Sequence, residues 1–255
     1  MQKNNNKLNA SFLRDNCQAA WSKIHVFDEI DSTSSWLKTQ NQYPIVCLAE
    51  TQTQGRGRNG NRWQSPDAEN IYLSFNWSFD GQPKHLPLLS LWVGIAVAQA
   101  IGSLGVANHG IKWPNALYWK HQKFGGILLE TSSASSQVVV GIGINVNVAA
   151  MESIEQPWTS LSVIMGHTIG RNKFLVTLLD TLYEAMESFA KLKENVLLSR
   201  WRKWDLIRGR QVSFLKQGET CEGVARGIDR SGHLLVDMGA GEVKTFNTSI
   251  SKVRW

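Results

Sequence analysis

Residues 54–66 read QGRGRNGNRWQSP, and this glycine- and arginine-rich stretch decides between several folds. Its glycines match the GxGxxG pattern of dinucleotide-binding domains, which lies between a strand and a helix. Here three arginines crowd the stretch, and Trp63 and Pro66 lead into a predicted strand, so that fold is not favoured. A phosphate-binding P-loop is excluded as well, because no Gly-Lys-Ser/Thr follows. Two interpretations remain: a loop whose backbone N–H and guanidinium groups bind an anion, and a solvated surface loop.

The segments around this loop alternate between strand and helix patterns. The predicted strands are residues 24–30, 45–50, 71–77, 117–119, 124–130 and 138–144, and the predicted helices are residues 11–22, 32–39 with Asp31 or Ser32 as cap, 88–104 and 172–204. From residue 211 onward, short alternating segments separated by glycine-containing turns predict a compact barrel. We therefore divide the chain into a catalytic domain, residues 1–208, and a C-terminal barrel, residues 209–255.

Length and composition are those of a globular chain. The 255 residues are enough for one domain with a small appendage, and 42 % apolar with 19 % charged residues excludes disorder for most of the chain. A net charge of +6 favours anionic partners. The basic residues do not gather into one helix or stripe, so we expect no specific DNA binding.

Cysteine, histidine and hydropathy patterns bear on the cellular compartment, on metal binding and on membrane insertion. The three cysteines form neither a CxxC pair nor an even framework, which predicts reduced thiols and a cytoplasmic protein. The histidines are scattered singly, so no metal site is predicted. Residues 86–107 carry no charge, but Pro87 and three polar residues interrupt them. We expect a buried helix on a sheet and no membrane span.

Two further motifs place polar groups at strand ends. Residues 112–130 read KWPNALYWKHQKFGGILLE, with Lys112 at the end of a strand and Lys123 after a turn. Either the two ammonium groups converge on a bound anion, or both lysines face solvent. Residues 138–147 read VVVGIGINVN, and small residues at this strand end would leave space for a flat ligand.

Together and in this order, DSTS at residues 31–34, ETQTQGRGRNGNRWQSP at 50–66 and the two strand-end motifs resemble the biotin protein ligases, also called biotin–[acetyl-CoA-carboxylase] ligases. The resemblance runs from about residue 26 to the C-terminus. It implies an α+β, class II synthetase-like fold shared with lipoate ligases, in which a seven-stranded mixed β-sheet with helices on one side precedes a small SH3-like β-barrel. Some family members carry a DNA-binding helix-turn-helix domain before the ligase. Since the first motif begins near residue 28, we expect a short form without that domain.

The resemblance implies an ATP-dependent, adenylate-forming reaction. Biotin and ATP would give biotinyl-5′-AMP and pyrophosphate, and the biotinyl group would pass to one lysine of the biotin carboxyl carrier protein of acetyl-CoA carboxylase. The mixed anhydride is itself the activated species, so no enzyme nucleophile is needed. Mg²⁺ would accompany ATP, held by phosphate oxygens and water without a dedicated ligand cage. The enzyme is expected to be a monomer or homodimer.

The same resemblance assigns roles to individual residues of this chain. Catalysis is assigned to the cations Lys123, Arg56, Arg58 and Lys112. The residues expected to contact biotin and its carboxylate are Ser32, Thr33, Gln52, Gly55, Arg56, Lys123, Gly126 and Gly143. The residues expected to contact ATP are Arg58, Trp63, Lys112, Asn115, Asn145, Trp158 and Arg254.

Three departures from the family pattern bear on activity. The KWPND motif ends here in Ala116, which removes a carboxylate able to orient a lysine or a metal-bound water. The DSTN motif ends in Ser34, and the GRGRRGR loop has Asn59 and Asn61 in place of arginines. We expect weakened adenylation with retained biotin binding, and poorer retention of the adenylate. The alternatives are a non-catalytic or impaired biotin-binding protein and a lipoate- or octanoate-handling relative.

Overall fold

A mixed sheet of seven strands forms the main body of the protein, whose computed structural model describes residues 6–66, 69–131, 136–150, 156–250 and 253–255. Its strands are β1 (Lys23–Ile30), β2 (Ile45–Gln52), β3 (Ile71–Ser78), β4 (His109–Lys112), β5 (Ala116–Trp119), β6 (Gln122–Thr131) and β7 (Gln137–Ile144). They lie in the order β1-β2-β3-β7-β6-β5-β4. β1 and β2 are parallel and every other neighbouring pair is antiparallel, which confirms the predicted mixed sheet.

The helices are distributed unequally over the two faces of this sheet. They are α1 (Ala10–Asn16), α2 (Thr33–Leu37), α3 (Leu89–Gly102), α4 (Leu161–Met165), α5 (Arg171–Phe189) and α6 (Glu194–Trp204). Alternate side chains of β2 point to opposite faces: Val46 and Leu48 join the main core under the long helices, whereas Ile45 and Cys47 pack with Leu37 of α2. The expectation of helices on one side is therefore correct for the long helices and wrong for the short α2. The face that carries α2 has little helical cover and is open to a ligand.

The uncharged segment at residues 86–107 contains the central helix α3. Nearly all of its side chains are buried, since the sheet lies on one side of it and α5 on the other. Among the residues described, no helix is long and apolar enough to cross a bilayer. The prediction of a buried helix is confirmed.

Two predicted helices have different limits in the structure. The first ends at Asn16 instead of residue 22, and the helix predicted over residues 172–204 is two helices, α5 and α6. The break between α5 and α6 contains Lys193 in an extended conformation and Leu192, which is buried in the core. No proline or glycine marks this break in the sequence, so the burial of Leu192 decides it against the local helical pattern.

The C-terminal unit is a four-stranded antiparallel sheet. Its strands are β8 (Gln211–Lys216), β9 (Glu219–Ile228), β10 (Leu234–Asp237) and β11 (Val243–Phe246), in the order β11-β10-β9-β8. The last of the short segments predicted from residue 211 onward, SKVRW at residues 251–255, is not a strand in its described part. There, Arg254 makes only an isolated bridge to Ser213. The four-stranded sheet is consistent with the predicted SH3-like barrel. The indole N–H of Trp113 donates to the carbonyl of Gly232 at 3.0 Å and so links this unit to the main domain.

A buried ion pair connects the first turn of α5 to the sheet. The guanidinium of Arg171 is fully buried and lies 2.7 Å from Oε2 of Glu50 in β2. It also donates to the carbonyl oxygens of Asn6 and Asn70. Oε1 of Glu50 accepts the backbone N–H of Leu8 at 2.6 Å. One charge pair thereby holds the N-terminal segment, β2 and the entrance to β3 together.

We predict that Arg171→Met lowers the free energy of unfolding by about 3–5 kcal/mol, because it leaves the Glu50 carboxylate buried without its counter-ion. Urea denaturation followed by circular dichroism measures this loss. The matched control is Arg226→Met, which removes a half-exposed partner of Asp237 and should change stability far less. The double variant Arg171→Met/Glu50→Gln should recover part of the loss. Equal effects of Arg171→Met and Arg226→Met would contradict this account.

Candidate active site

A cavity of about 700 Å³ opens on the sheet face that carries α2. Its walls are the ends of the central strands, the arginine-rich loop and part of the C-terminal unit. The predicted site residues on its lining are Ser32, Thr33, Gln52, Arg56, Arg58, Trp63, Lys112, Asn115, Lys123, Gly126, Gly143, Asn145 and Trp158. Two predicted residues, Gly55 and Arg254, do not line it. The fold thus brings four separate sequence motifs to one space.

The floor of the cavity is a network of small polar side chains. Oε1 of Gln52 accepts hydrogen bonds from the backbone N–H and the hydroxyl of Thr33, at 3.0 and 3.2 Å. The Thr33 hydroxyl also lies 2.7 Å from that of Ser74, and Nε2 of Gln52 donates to Ser65 at 3.1 Å. Ser32 is the N-cap of α2, as predicted. This network fixes donors and acceptors at one end of the cavity, where they can recognise a polar ligand head group.

The arginine-rich loop closes on itself through backbone hydrogen bonds. The N–H of Trp63 donates to the carbonyl of Gly55, and that of Gly57 to the carbonyl of Asn61. A Cβ on Gly55 would lie 2.5 Å from the carbonyl oxygen of Trp63, so only glycine fits at this crossing. The structure thus places Gly55 at the neck of the loop, whereas the resemblance assigned it to biotin contact.

The two asparagines that replace family arginines stabilise this loop. Asn59 has φ +55°, a left-handed conformation that asparagine tolerates better than arginine. The side-chain amide of Asn61 donates to the carbonyl of Arg58 at 3.0 Å. These residues remove positive charge from the loop and add local order in its place.

The two arginines of the predicted catalytic set are held on opposite flanks of the cavity. Arg56 lies 2.8 Å from Oε1 of Glu130 in β6. Arg58 donates to Oδ1 of Asn115 at 3.4 Å and to the carbonyl of Thr248 in the C-terminal unit at 3.1 Å. Burial lowers the pKa of Arg58 from its ordinary value, but arginine stays charged at neutral pH. The loop therefore spans the cavity with a cation at each side.

The indole of Trp63 packs against the two strand glycines that were predicted to face a flat ligand. A Cβ on Gly143 would lie 2.5 Å from the ring, and one on Gly126 would lie 3.3 Å from it. The Nζ of Lys123 lies 5.0 Å from the centre of the same ring, within cation–π range. Within the described part of the chain, the indole N–H is buried without a hydrogen-bond partner. Leaving this buried donor unpaired is costly, and a ligand that offered it an acceptor would remove that cost.

The two predicted lysines are both on the cavity wall but in different surroundings. Lys112 is buried, and its Nζ lies 5.0 Å from the centre of the Tyr118 ring. Burial raises the pKa of Tyr118 to about 12, so its hydroxyl stays neutral and accepts a hydrogen bond from Gln156. The backbone of Lys123 is fixed by bonds to Pro157 and Thr159. Both lysines line the same cavity.

The predicted nucleotide contacts Asn115 and Asn145 also hold the backbone around the cavity. The Asn115 amide donates to the carbonyl of Ile127 at 2.5 Å, and the Asn145 amide to that of Thr159 at 3.1 Å. Arg254 is exposed, and its backbone pairs with Ser213. Among the described residues, no three His, Cys, Asp or Glu side chains come together as metal ligands do.

Sequence reasoning missed part of the cavity wall. The missed lining residues include Ser74, Tyr118, Gln156, Thr248, Ile250 and Val253. Gly141 also lines the cavity and belongs to the small-residue strand end that was predicted to leave space for a ligand, on the same face of β7 as Gly143. The C-terminal residues gave no local signal, because only the tertiary fold brings that unit to the cavity.

Fold and site together define an α+β enzyme domain with a cavity lined by arginine and lysine side chains beneath an arginine-rich loop, with a β-sheet unit completing the wall. The sequence matches the biotin/lipoate A/B protein ligase family over residues 26–147 and the biotin protein ligase C terminal domain over residues 208–250. The chain therefore belongs to the biotin/lipoate A/B protein ligase family and, within it, to the ATP-dependent biotin protein ligases.

Individual proteins show the same similarity. The bifunctional ligase/repressor BirA of Escherichia coli (strain K12) is 35 % identical over 222 residues, which cover 84 % of this chain and 69 % of that protein. The biotin–[acetyl-CoA-carboxylase] ligase of Mycobacterium tuberculosis is 31 % identical, with 91 % of this chain and 90 % of that protein covered. The solved Aquifex aeolicus biotin protein ligase in complex with biotin and ATP has a TM-score of 0.80 and 29 % identity, covering 91 % of this chain and 98 % of that one.

We predict that Gly143→Ala displaces Trp63 and loosens the arginine-rich loop, because the added methyl would lie 2.5 Å from the ring. Overpacking of this kind costs about 1–3 kcal/mol, so trypsin cleavage within the loop should accelerate about tenfold. The matched control is Gly126→Ala, whose methyl meets the same ring at 3.3 Å and should have a smaller effect. Equal cleavage rates for the two variants, at equal global stability in urea, would refute this packing argument.

Proposed function

We propose that this protein activates biotin with ATP to give biotinyl-5′-AMP and pyrophosphate, and then transfers the biotinyl group to a lysine of the biotin carboxyl carrier protein of acetyl-CoA carboxylase. The observation that carries the proposal is the single cavity onto which Arg56, Arg58, Lys112 and Lys123 all open above a polar floor. The similar proteins support the same substrates: the Aquifex aeolicus ligase is in complex with biotin and ATP, and the mycobacterial protein is a biotin–[acetyl-CoA-carboxylase] ligase.

The polar floor suits the neutral head group of biotin. In this proposal the ring system lies near Thr33, Gln52 and Ser74, whose side chains offer both donors and acceptors. The valeryl carboxylate then extends toward Lys123 and Arg56. Trp63 would give up its present contact with Gly143 to make room for the ligand, and its indole would cover the ligand.

The cations supply the chemistry of the first step. A carboxylate oxygen of biotin attacks the α-phosphorus of ATP, the bond to the β-phosphate oxygen breaks, and pyrophosphate leaves. Negative charge accumulates on the phosphoryl oxygens, and Lys123, Lys112 and Arg58 are placed to stabilise it. Mg²⁺ would accompany ATP and would be bound through phosphate oxygens and water, without a dedicated cage of protein ligands.

In the second step, exclusion of water from the cavity matters more than an additional catalytic side chain. The acceptor lysine, as a free amine, attacks the carbonyl carbon of the mixed anhydride, and AMP leaves. Hydrolysis of the anhydride competes with this transfer, so a closed loop is an advantage. The loop reaches from Glu130 to the carbonyl of Thr248, and this span covers the cavity where the anhydride would form.

We propose the cytoplasm as the place of this reaction. Cys17, Cys47 and Cys221 are all free thiols in the structure, as expected for a reducing compartment. Burial raises the pKa of the Cys17 thiol to about 11, and Asp180 adds to the effect. Such a thiol stays protonated at neutral pH and is a poor nucleophile.

We predict that Lys123→Gln lowers biotin-dependent ATP–pyrophosphate exchange by about two to three orders of magnitude, because it removes a cation aimed at the developing charge. The matched control is Lys120→Gln, three residues away on the same hairpin, where the Nζ stacks on the Trp119 ring. That variant should keep near-normal exchange. Absence of exchange and of labelled biotin transfer in the unmodified protein would overturn the proposed function itself.

The replacement of a family aspartate by Ala116 generates a second prediction. Strand register pairs Ala116 with Lys112 on one side and Gly126 on the other, so an aspartate at this position would stand beside the buried ammonium group. We predict that Ala116→Asp raises the exchange rate several-fold with little change in biotin affinity. The neutral control is Ala116→Asn, which should not raise it. An unchanged exchange rate in Ala116→Asp would contradict the inference that Ala116 weakens adenylation.

A second candidate function rests on the same residue. Without the carboxylate at position 116, the chain could bind biotin but not activate it. Calorimetry with biotin, alongside the exchange assay, separates the two functions. Biotin binding without any exchange in the unmodified protein, restored by Ala116→Asp, would establish the non-catalytic alternative.

A further inference from the structure

Three elements meet at one carboxylate beside the cavity. Oε1 of Glu130, in β6, lies 2.7 Å from Nζ of Lys38 and 2.8 Å from Nη2 of Arg56. Lys38 directly follows α2, and Arg56 belongs to the arginine-rich loop. Only Arg56 of the three lines the cavity, so Glu130 and Lys38 stand behind it as seen from the ligand space.

Arg56 needs an external support. It stands between Gly55 and Gly57, and glycine has more backbone freedom than any other residue type. The arginine side chain itself has four rotatable bonds. The Glu130 carboxylate is four-fifths buried on a strand, which makes it a fixed point to which the guanidinium can be tied. Glu130 contacts the guanidinium at Nη2, and because a guanidinium carries five N–H donors, others can still bind a ligand.

A carboxylate alone would be a poor support, for reasons of charge. Glu130 by itself would cancel the positive charge of Arg56 and would repel an incoming carboxylate or phosphate. Lys38 binds the same oxygen, and the three groups together therefore keep one net positive charge. Oε2 of Glu130 is buried and, within the described residues, makes no hydrogen bond, so Oε1 is the contact through which both cations act.

We propose that Lys38 and Glu130 are positioning residues for Arg56. Glu130 fixes the guanidinium at the cavity wall, and Lys38 neutralises Glu130 so that the charge of Arg56 stays available to an anionic ligand. The inference rests on the proposed function, in which that anion is the carboxylate of biotin.

The test is the dissociation constant of biotin for Lys38→Gln, measured by calorimetry over a series of NaCl concentrations. We expect it to rise about three- to fivefold at low salt, and its salt dependence to flatten, while kcat in the exchange assay stays close to normal. Lys38→Arg should restore both affinity and salt dependence. A purely structural role for Lys38 would leave the salt dependence untouched.

The matched control is Lys7→Gln, which removes the lysine of the exposed Lys7–Asp28 pair and changes the net charge equally. It should leave both quantities unchanged. If Lys7→Gln flattens the salt dependence as much as Lys38→Gln does, the effect is one of overall charge and the proposal fails. The proposal also fails if Lys38→Gln binds biotin like the unmodified protein.

Glu130→Gln tests the other half of the proposal. It leaves Arg56 without its anchor, so trypsin should cleave after Arg56 sooner, and the biotin concentration for half-maximal exchange should rise. Unchanged cleavage would contradict the positioning role of Glu130. If the unmodified protein neither binds biotin nor supports exchange, the proposed function itself is wrong. If it does both, and only the variants behave differently from these expectations, the positioning role is wrong.

Discussion

The buried ion pair between Arg171 and Glu50 is the constraint on which the site depends. Arg171 donates to the carbonyl of Asn70, and the Asn70 side chain in turn accepts the backbone N–H of Val146 and donates to the hydroxyl of Tyr72. The carboxyl end of β2, the start of β3 and the end of β7 are therefore fixed to one another away from solvent. Two residues after Glu50 comes Gln52, which organises the cavity floor. A charged pair in the core thus fixes the positions of neutral groups in the site.

The floor and the loop of the site differ in how they are held. The floor residues Thr33, Gln52 and Ser74 are bonded to one another on strands and a short helix, so their geometry exists before any ligand binds. The loop is tied to its surroundings by two side chains near its start, Arg56 to Glu130 and Arg58 to Thr248. The floor is therefore the more rigid part of the site and the loop the more adaptable part, which suits the proposed reaction, in which a carrier lysine enters after the first step.

Much of this arrangement could be predicted from the sequence, because its signals are local. Strand periodicity located six of the seven strands of the main sheet to within a few residues, Ser32 was one of the two predicted caps of α2, and the four motifs supplied most of the residues on the cavity wall. The division of residues 172–204 into two helices could not be predicted, since it depends on where Leu192 is buried. The packing of the Trp63 ring on Gly143 and the hydrogen bond from Arg58 to Thr248 could not be predicted either, because they join segments that are distant in sequence.

The bond from Arg58 to the carbonyl of Thr248 joins a loop of the main domain to the C-terminal unit across 190 positions of sequence. Because the C-terminal unit also lends Ile250 and Val253 to the cavity wall, ligand occupancy and the attachment of that unit are thermodynamically linked. Whatever free energy the ligand gains from an attached unit, the unit gains equally from a bound ligand. The C-terminal sheet therefore affects the affinity of the site as a separate effector molecule would, although it is part of the same chain.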